Sequence, residues 1–231
     1  MKKLSILFAT TLLALFSISC TSGGDDSPSI SSNSQNNTSS SSQSNAEGFE
    51  NSGQITDTKT EKPYTGNGKI YLAEEERGSN GQPILATIMV EAGVMSNGKI
   101  TFTLPENVDS RFLTKIDVFP PGMEVNPLDA EVWFYNEPFR LLSNGKHIGD
   151  FEYIKILNDG TYHKITYFYF SKNTSINGYV EEMGGMEYKI EAKKGWNNVY
   201  IKVNTNTRSL YVTTNLNEVP DGLAWLMWEI N

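Results

Sequence analysis

The chain has 231 residues, 19 Lys and Arg against 27 Asp and Glu, a formal net charge of −8, one cysteine and two histidines. That charge repels nucleic acid. A single cysteine leaves no disulfide framework, and His147 and His163 have no companion at ligand spacing, short of the three or four ligands that a zinc site needs.

The first elements are those of a leader. Lys2 and Lys3 form a positive start, Leu4 to Phe16 an apolar run, and small residues precede Cys20, which is the order found in signal peptides. The run is shorter than the roughly 20 apolar residues of a spanning helix. The cysteine stands at the cleavage position and is followed at once by the polar stretch TSGGDDSPS.

On these residues the chain resembles bacterial lipoproteins. The resemblance implies that residues 1–19 are a signal peptide lost on cleavage. It also implies that Cys20 is the lipidated residue, diacylated on sulfur and often acylated on its new amine. The box is a relaxed one, Phe16-Ser17-Ile18-Ser19 in place of a leucine three positions before the cysteine and a glycine or alanine just before it. Thr21, where aspartate would favour the inner membrane in this family, implies an outer-membrane or cell-surface address. Each buried methylene contributes ~0.8 kcal/mol, so two or three chains hold where one is marginal. The expected membrane contact is therefore the lipid. Loss of Lys2 and Lys3 takes the net charge to −10, which disfavours adsorption to an anionic surface.

Residues 20–63 read as a disordered tether that begins at the lipidated cysteine. Serine supplies 11 of the 24 residues from Thr21 to Ser44, and Ile30 is the one large apolar residue before Asn45. Such a segment cannot bury enough surface to offset its ordering entropy. About 40 flexible residues reach on the order of 35 Å.

Residues 64–231 read as one domain with period-two texture. Ile100, Phe102 and Leu104 oppose Lys99, Thr101 and Thr103, and Met186, Tyr188, Ile190 and Ala192 oppose Glu187, Lys189 and Glu191. Such alternation marks half-buried antiparallel strands. Asn97-Gly98, Asn144-Gly145, Asp159-Gly160 and Lys194-Gly195 punctuate the runs as turns. The predicted strands are 68–73, 84–92, 99–104, 131–136, 139–143, 151–157, 161–171, 175–181, 186–193, 197–203, 208–214 and 222–230. A short helix is predicted over Asp109 to Ile116, capped by Asp109, ahead of the Pro120-Pro121-Gly122 break. The expected fold is an all-β antiparallel sandwich, immunoglobulin- or transthyretin-like in architecture. The runs 161–170 and 223–230 look buried on both faces, as central strands.

Candidate chemistry is sparse. No G-x-S-x-G elbow presents a serine nucleophile, no phosphate-binding glycine pattern is present, and no D-x-D-x-D-G loop suggests calcium. No metal or cofactor is expected. Trp133, Tyr135, Trp196, Tyr200 and Tyr211 form a candidate aromatic surface for a protein or glycan, with burial in the core the favoured competing reading. The expected function is that of a non-catalytic surface lipoprotein, binding or structural. The alternative is a lipid-anchored hydrolase, such as a glycosidase using paired carboxylates drawn from Glu74, Glu75, Glu76, Glu181, Glu182 and others.

Overall fold

The computed structural model describes residues 52–77, 83–116, 122–135, 137–181 and 184–230. The leader, Cys20 and the serine-rich stretch lie outside the described residues, as do Pro120 and Pro121.

The described chain is all-β, with only short 3₁₀ turns besides. Its first eight strands are β1 (Ser52–Asp57), β2 (Gly68–Arg77), β3 (Pro83–Ser96), β4 (Lys99–Phe102), β5 (Thr114–Lys115), β6 (Met123–Asn126), β7 (Glu131–Tyr135) and β8 (Phe139–Ser143). The remaining strands are β9 (Lys146–Ile156), β10 (Thr161–Phe170), β11 (Thr174–Val180), β12 (Met186–Ala192), β13 (Gly195–Asn204), β14 (Ser209–Thr213) and β15 (Ala224–Glu229).

Alternation and turn chemistry account for most of these elements. The tetrapeptide Ser-Asn-Gly-Lys occurs at Ser96 and at Ser143, and both copies are tight hairpin turns. Asn97 and Gly98 have φ of 50° and 73°, and Asn144 and Gly145 of 51° and 74°. Positive φ at both central residues suits the right-handed twist of the flanking strands.

Seven strands close into a barrel in the order β1, β4, β3, β2, β8, β9, β15 and back to β1. The closing strand runs antiparallel to β4 through Ser52–Gln54 and parallel to β15 through Ile55–Asp57. The expected sandwich is therefore corrected to a barrel with an appended sheet. The contact that closes the ring joins opposite ends of the chain and leaves no local pattern. The tether boundary at residue 63 is corrected with it, since Ser52–Asp57 is a strand with Ile55 fully buried.

The appended sheet grows from β9. One edge of β9 pairs with β15, and its other edge pairs first with β8 and then, from Tyr153 to Ile156, with β10. Strand β10 runs on beyond β9 to pair with β7, while its far edge carries β13, followed by β14, β12, β11 and β6. As expected, β10 is central and buried on both faces. Tyr167 on one face joins the barrel cluster of Ile70, Phe102, Phe139, Leu141, Phe151, Trp225 and Met227. Phe168 and Phe170 on the other face share a side of the sheet with Val199, Ile201, Val212, Met186 and Ile190, all buried.

Strand β15 departs from its expected two-sided burial. Trp225 and Met227 point into the barrel, while Ala224, Leu226 and Trp228 are only half-buried and Ile230 is exposed. A barrel strand has one inside and one outside, whatever the hydrophobicity of its outer residues. The predicted helix shortens to a 3₁₀ turn, Ser110–Phe112, capped by the Asp109 carboxylate, which accepts the Arg111 N–H at 2.9 Å. Leu113 is extended, and Thr114 and Lys115 then join the edge of β7, which ends the turn.

Candidate functional site

The aromatic set singled out from the sequence does not form one surface. Trp133, Tyr135 and Tyr200 are buried, at 4, 1 and 3% exposure, while Trp196 and Tyr211 are half-buried. Trp133 stacks on Phe112 with ring centroids 4.3 Å apart and lies 5.4 Å from both Tyr135 and Trp196. Their polar handles are used inside the fold. The Trp196 indole donates to the Pro105 carbonyl at 2.8 Å, and the Tyr135 hydroxyl donates to the Pro138 carbonyl at 2.9 Å. Burial pushes the Tyr135 phenol far up. Trp133 and Tyr135 belong to the core cluster and Trp196 packs against it, so these three do not form the candidate binding surface. Tyr200 lies farther along the same sheet face with its hydroxyl 2.6 Å from His163 Nδ1, and it too is enclosed.

Tyr211 alone of the set lies beside an open feature, its hydroxyl bonded to Glu218, one of the residues that line it. The ladder places Lys202, Tyr211 and Glu187 in one cross-strand row and Tyr200, Thr213, Lys189 and Asn177 in the next. Beyond them a 3₁₀ turn, Leu216–Glu218, is N-capped by Asn215 and folds Glu218 back over β14. The result is an open groove of about 520 Å³ lined by Asn177, Lys189, Glu191, Thr213, Thr214, Asn215 and Glu218.

The polar groups of this groove hold one another in place. Glu218 accepts from the Tyr211 hydroxyl at 2.5 Å through Oε2 and from Asn215 Nδ2 at 2.9 Å through Oε1. The Tyr211 bond, first among the causes, holds the Glu218 carboxyl below its ordinary range. Partial burial, and then that same bond, push the Tyr211 phenol up. Lys189 Nζ sits 5.3 Å from the centre of the Tyr211 ring and pairs with Glu187 at 2.8 Å, a bond that raises its ionisation. Across the groove Asn177 Nδ2 donates to Glu191 Oε1 at 3.0 Å.

Such a floor presents ionised oxygens, amides and hydroxyls whose directions are fixed before any ligand arrives. Preorganised polar groups of this kind bind without the ordering cost that mobile ones incur. The histidines do not join it. His163 is buried against Tyr200, and its ionisation is lowered by burial first and then by Lys202 and Lys155. His147 belongs to the barrel, where its Nε2 lies 2.8 Å from Asp150 Oδ1. Among the described residues no group of three His, Cys, Asp or Glu side chains is placed to hold a metal ion.

Sequence reading missed Asn177, Lys189, Glu191, Asn215 and Glu218 as a set. One local signal was present, for Asn215 and Glu218 have the spacing of a helix-capping pair, which marks a turn returning a carboxylate to its own cap. Glu191 and Lys189 carried no signal beyond being the outward residues of a strand. No protein-family model, curated protein or solved structure matches the chain.

Proposed function

We propose that the chain is an exported lipoprotein, anchored through Cys20 at the outer membrane or cell surface, whose β domain is a non-catalytic binding module for a glycan in the groove between β11, β12 and β14. The leader pattern and the serine-rich composition support the anchor and the tether. The groove supports the ligand class. Fixed carboxylate, amide and hydroxyl groups beside a half-exposed phenol suit a ligand with many hydroxyls and a weakly polar ring face.

The observation that carries the non-catalytic reading is the state of Glu218. A glycosidase needs one of its two carboxyls protonated and ready to donate, with a raised ionisation. Glu191 and Glu218 both line the groove, which gives the hydrolase alternative its footing. Yet both Glu218 oxygens accept, from the Tyr211 hydroxyl and from Asn215 Nδ2, which takes Glu218 out of the proton-donor role. The test is a glycan array probed with the full chain in detergent, followed by titration of any hit. Tyr211→Ala and Glu218→Ala are expected to weaken binding at least tenfold with the melting curve kept. An array without hits refutes the glycan reading. Release of reducing sugar that stops in Glu218→Gln replaces it with the hydrolase.

A further inference from the structure

The outer wall of the barrel carries a row of side chains that the groove does not use. Ile70 and Leu72 flank Tyr71, Phe139 and Leu141 flank Arg140, Phe151 follows Asp150, and Met227 precedes Trp228. All those apolar neighbours line the interior, so alternation turns the four outward. The ladder sets them in line, Tyr71 opposite Arg140, Arg140 opposite Asp150, and Asp150 opposite Trp228. With strands about 4.8 Å apart, the row spans roughly 14 Å.

The centre of the row is incompletely bonded. Asp150 Oδ1 is 2.8 Å from His147 Nε2 but 3.6 Å from Arg140 Nε, close enough for an ion pair and too long for a good hydrogen bond. Arg140 Nε is buried and out of reach of a ligand, while the side chain as a whole is 21% exposed and its Nη nitrogens make no hydrogen bond among the described residues. Tyr71 and Trp228 are half-buried, and neither ring packs on another ring among the described residues; beyond Tyr71 the same line continues to Glu91, whose carboxylate accepts from the Tyr71 hydroxyl at 3.4 Å. In the neighbouring register Lys69, paired with Glu91 at 2.8 Å, adds a second cation. Arg140 and Lys69 thus balance Asp150 and Glu91 on a chain of net charge −8.

We propose that this row is a second binding site, independent of the groove, for an oligosaccharide bearing carboxylate groups. Its ring faces stack on Trp228 and Tyr71, its carboxylate takes the two Nη nitrogens of Arg140, and its hydroxyls meet Asp150 and His147. A guanidinium offers a carboxylate two parallel donors, and local neutrality spares an anionic ligand the repulsion it meets elsewhere on an acidic chain. A glycan fits better than a protein. A stable protein interface covers about 800 Å² on each partner around an apolar centre, whereas this row is narrow and polar in the middle.

The experiment titrates the full chain in detergent by calorimetry with oligomers of galacturonate, of alginate and of hyaluronan, and with neutral galactan, cellulose and laminarin oligomers. At least one acidic series is expected to bind ten times more tightly than every neutral one. Trp228→Ala and Arg140→Gln should each weaken it at least tenfold, while Tyr211→Ala in the groove leaves it unchanged. Tyr71→Ala is the second variant should Arg140→Gln fail to fold. Binding by no acidic series, equal binding of neutral ones, or loss in Tyr211→Ala rather than Trp228→Ala overturns the proposal, and the last of these leaves the groove as the site.

Discussion

Replacing Ile55 with alanine tests whether residues 52–57 belong to the barrel or to the tether. Ile55 is fully buried and sits opposite Trp225 in the parallel pairing of β1 with β15. The change removes three carbons, worth about 2.4 kcal/mol in transfer free energy at about 0.8 kcal/mol each. The void left against Trp225 and Met227 brings the loss toward 4 kcal/mol, within the range of buried large-to-alanine changes. Against a total stability of roughly 5–15 kcal/mol this is a large fraction. In urea, where a domain of this size loses about 1–3 kcal/mol per molar, the midpoint should fall by on the order of 1–4 M. Ile30→Ala in the serine-rich stretch is the control, with no shift expected. A loss below about 0.5 kcal/mol at Ile55, the size of an ordinary surface change, would refute the barrel closure. A chain cut to begin at Tyr64 should likewise melt below one beginning at Ala46.

The twin turns allow a second test. Gly98 and Gly145 share φ near +73°, but an added Cβ at Gly98 would lie 1.6 Å from the Tyr64 carbonyl oxygen and one at Gly145 would meet nothing within 4 Å. Gly145→Ala should cost about 1–2 kcal/mol from backbone strain alone, and Gly98→Ala clearly more, as read by thermal melting. Acid should act in two windows. His163 ionises below its ordinary 6.5 in the folded chain, so the unfolded chain takes up the proton first. The stability present above pH 6.5 is then lost as pH falls through the folded value. The urea midpoint should fall from pH 7 to pH 5, and His163→Gln should flatten that slope. The carboxyls of Asp57, Asp109, Asp129, Asp159 and Glu218, all lowered by hydrogen bonds, add stability above about pH 4 that disappears below it. Cys20→Ala should abolish partitioning into the detergent phase and leave the β circular dichroism unchanged.

Strands whose value is local were legible in the sequence. The alternation in 99–104 and 186–193 and the Asn-Gly turns named β4, β12 and two hairpins, because period and turn chemistry are written within a few residues. Strand β1 was not legible. It holds one large apolar side chain, Ile55, in polar surroundings, and its partner Trp225 lies at the other end of the chain. Strand β5 is two residues long, too short to show a period. Burial on one side or two was misjudged at β15 for a related reason, since Trp228 and Ile230 face outward from a ring that composition cannot reveal. Of the candidate aromatic residues, Trp133, Tyr135 and Tyr200 are buried, whereas Trp196 and Tyr211 are half-buried. The groove escaped notice because it is assembled from outward positions of three strands and one turn, each ordinary in isolation.

Strand β9 has a mechanical consequence. It lends one edge to β15 and the other first to β8 and then to β10, so ring and outlying sheet share a common beam. Neither half can melt while the other stands, and a scanning calorimeter should record one endotherm whose van 't Hoff and calorimetric enthalpies agree. The slowest-exchanging amides should cluster along Phe151–Ile154, where the beam is braced from both sides.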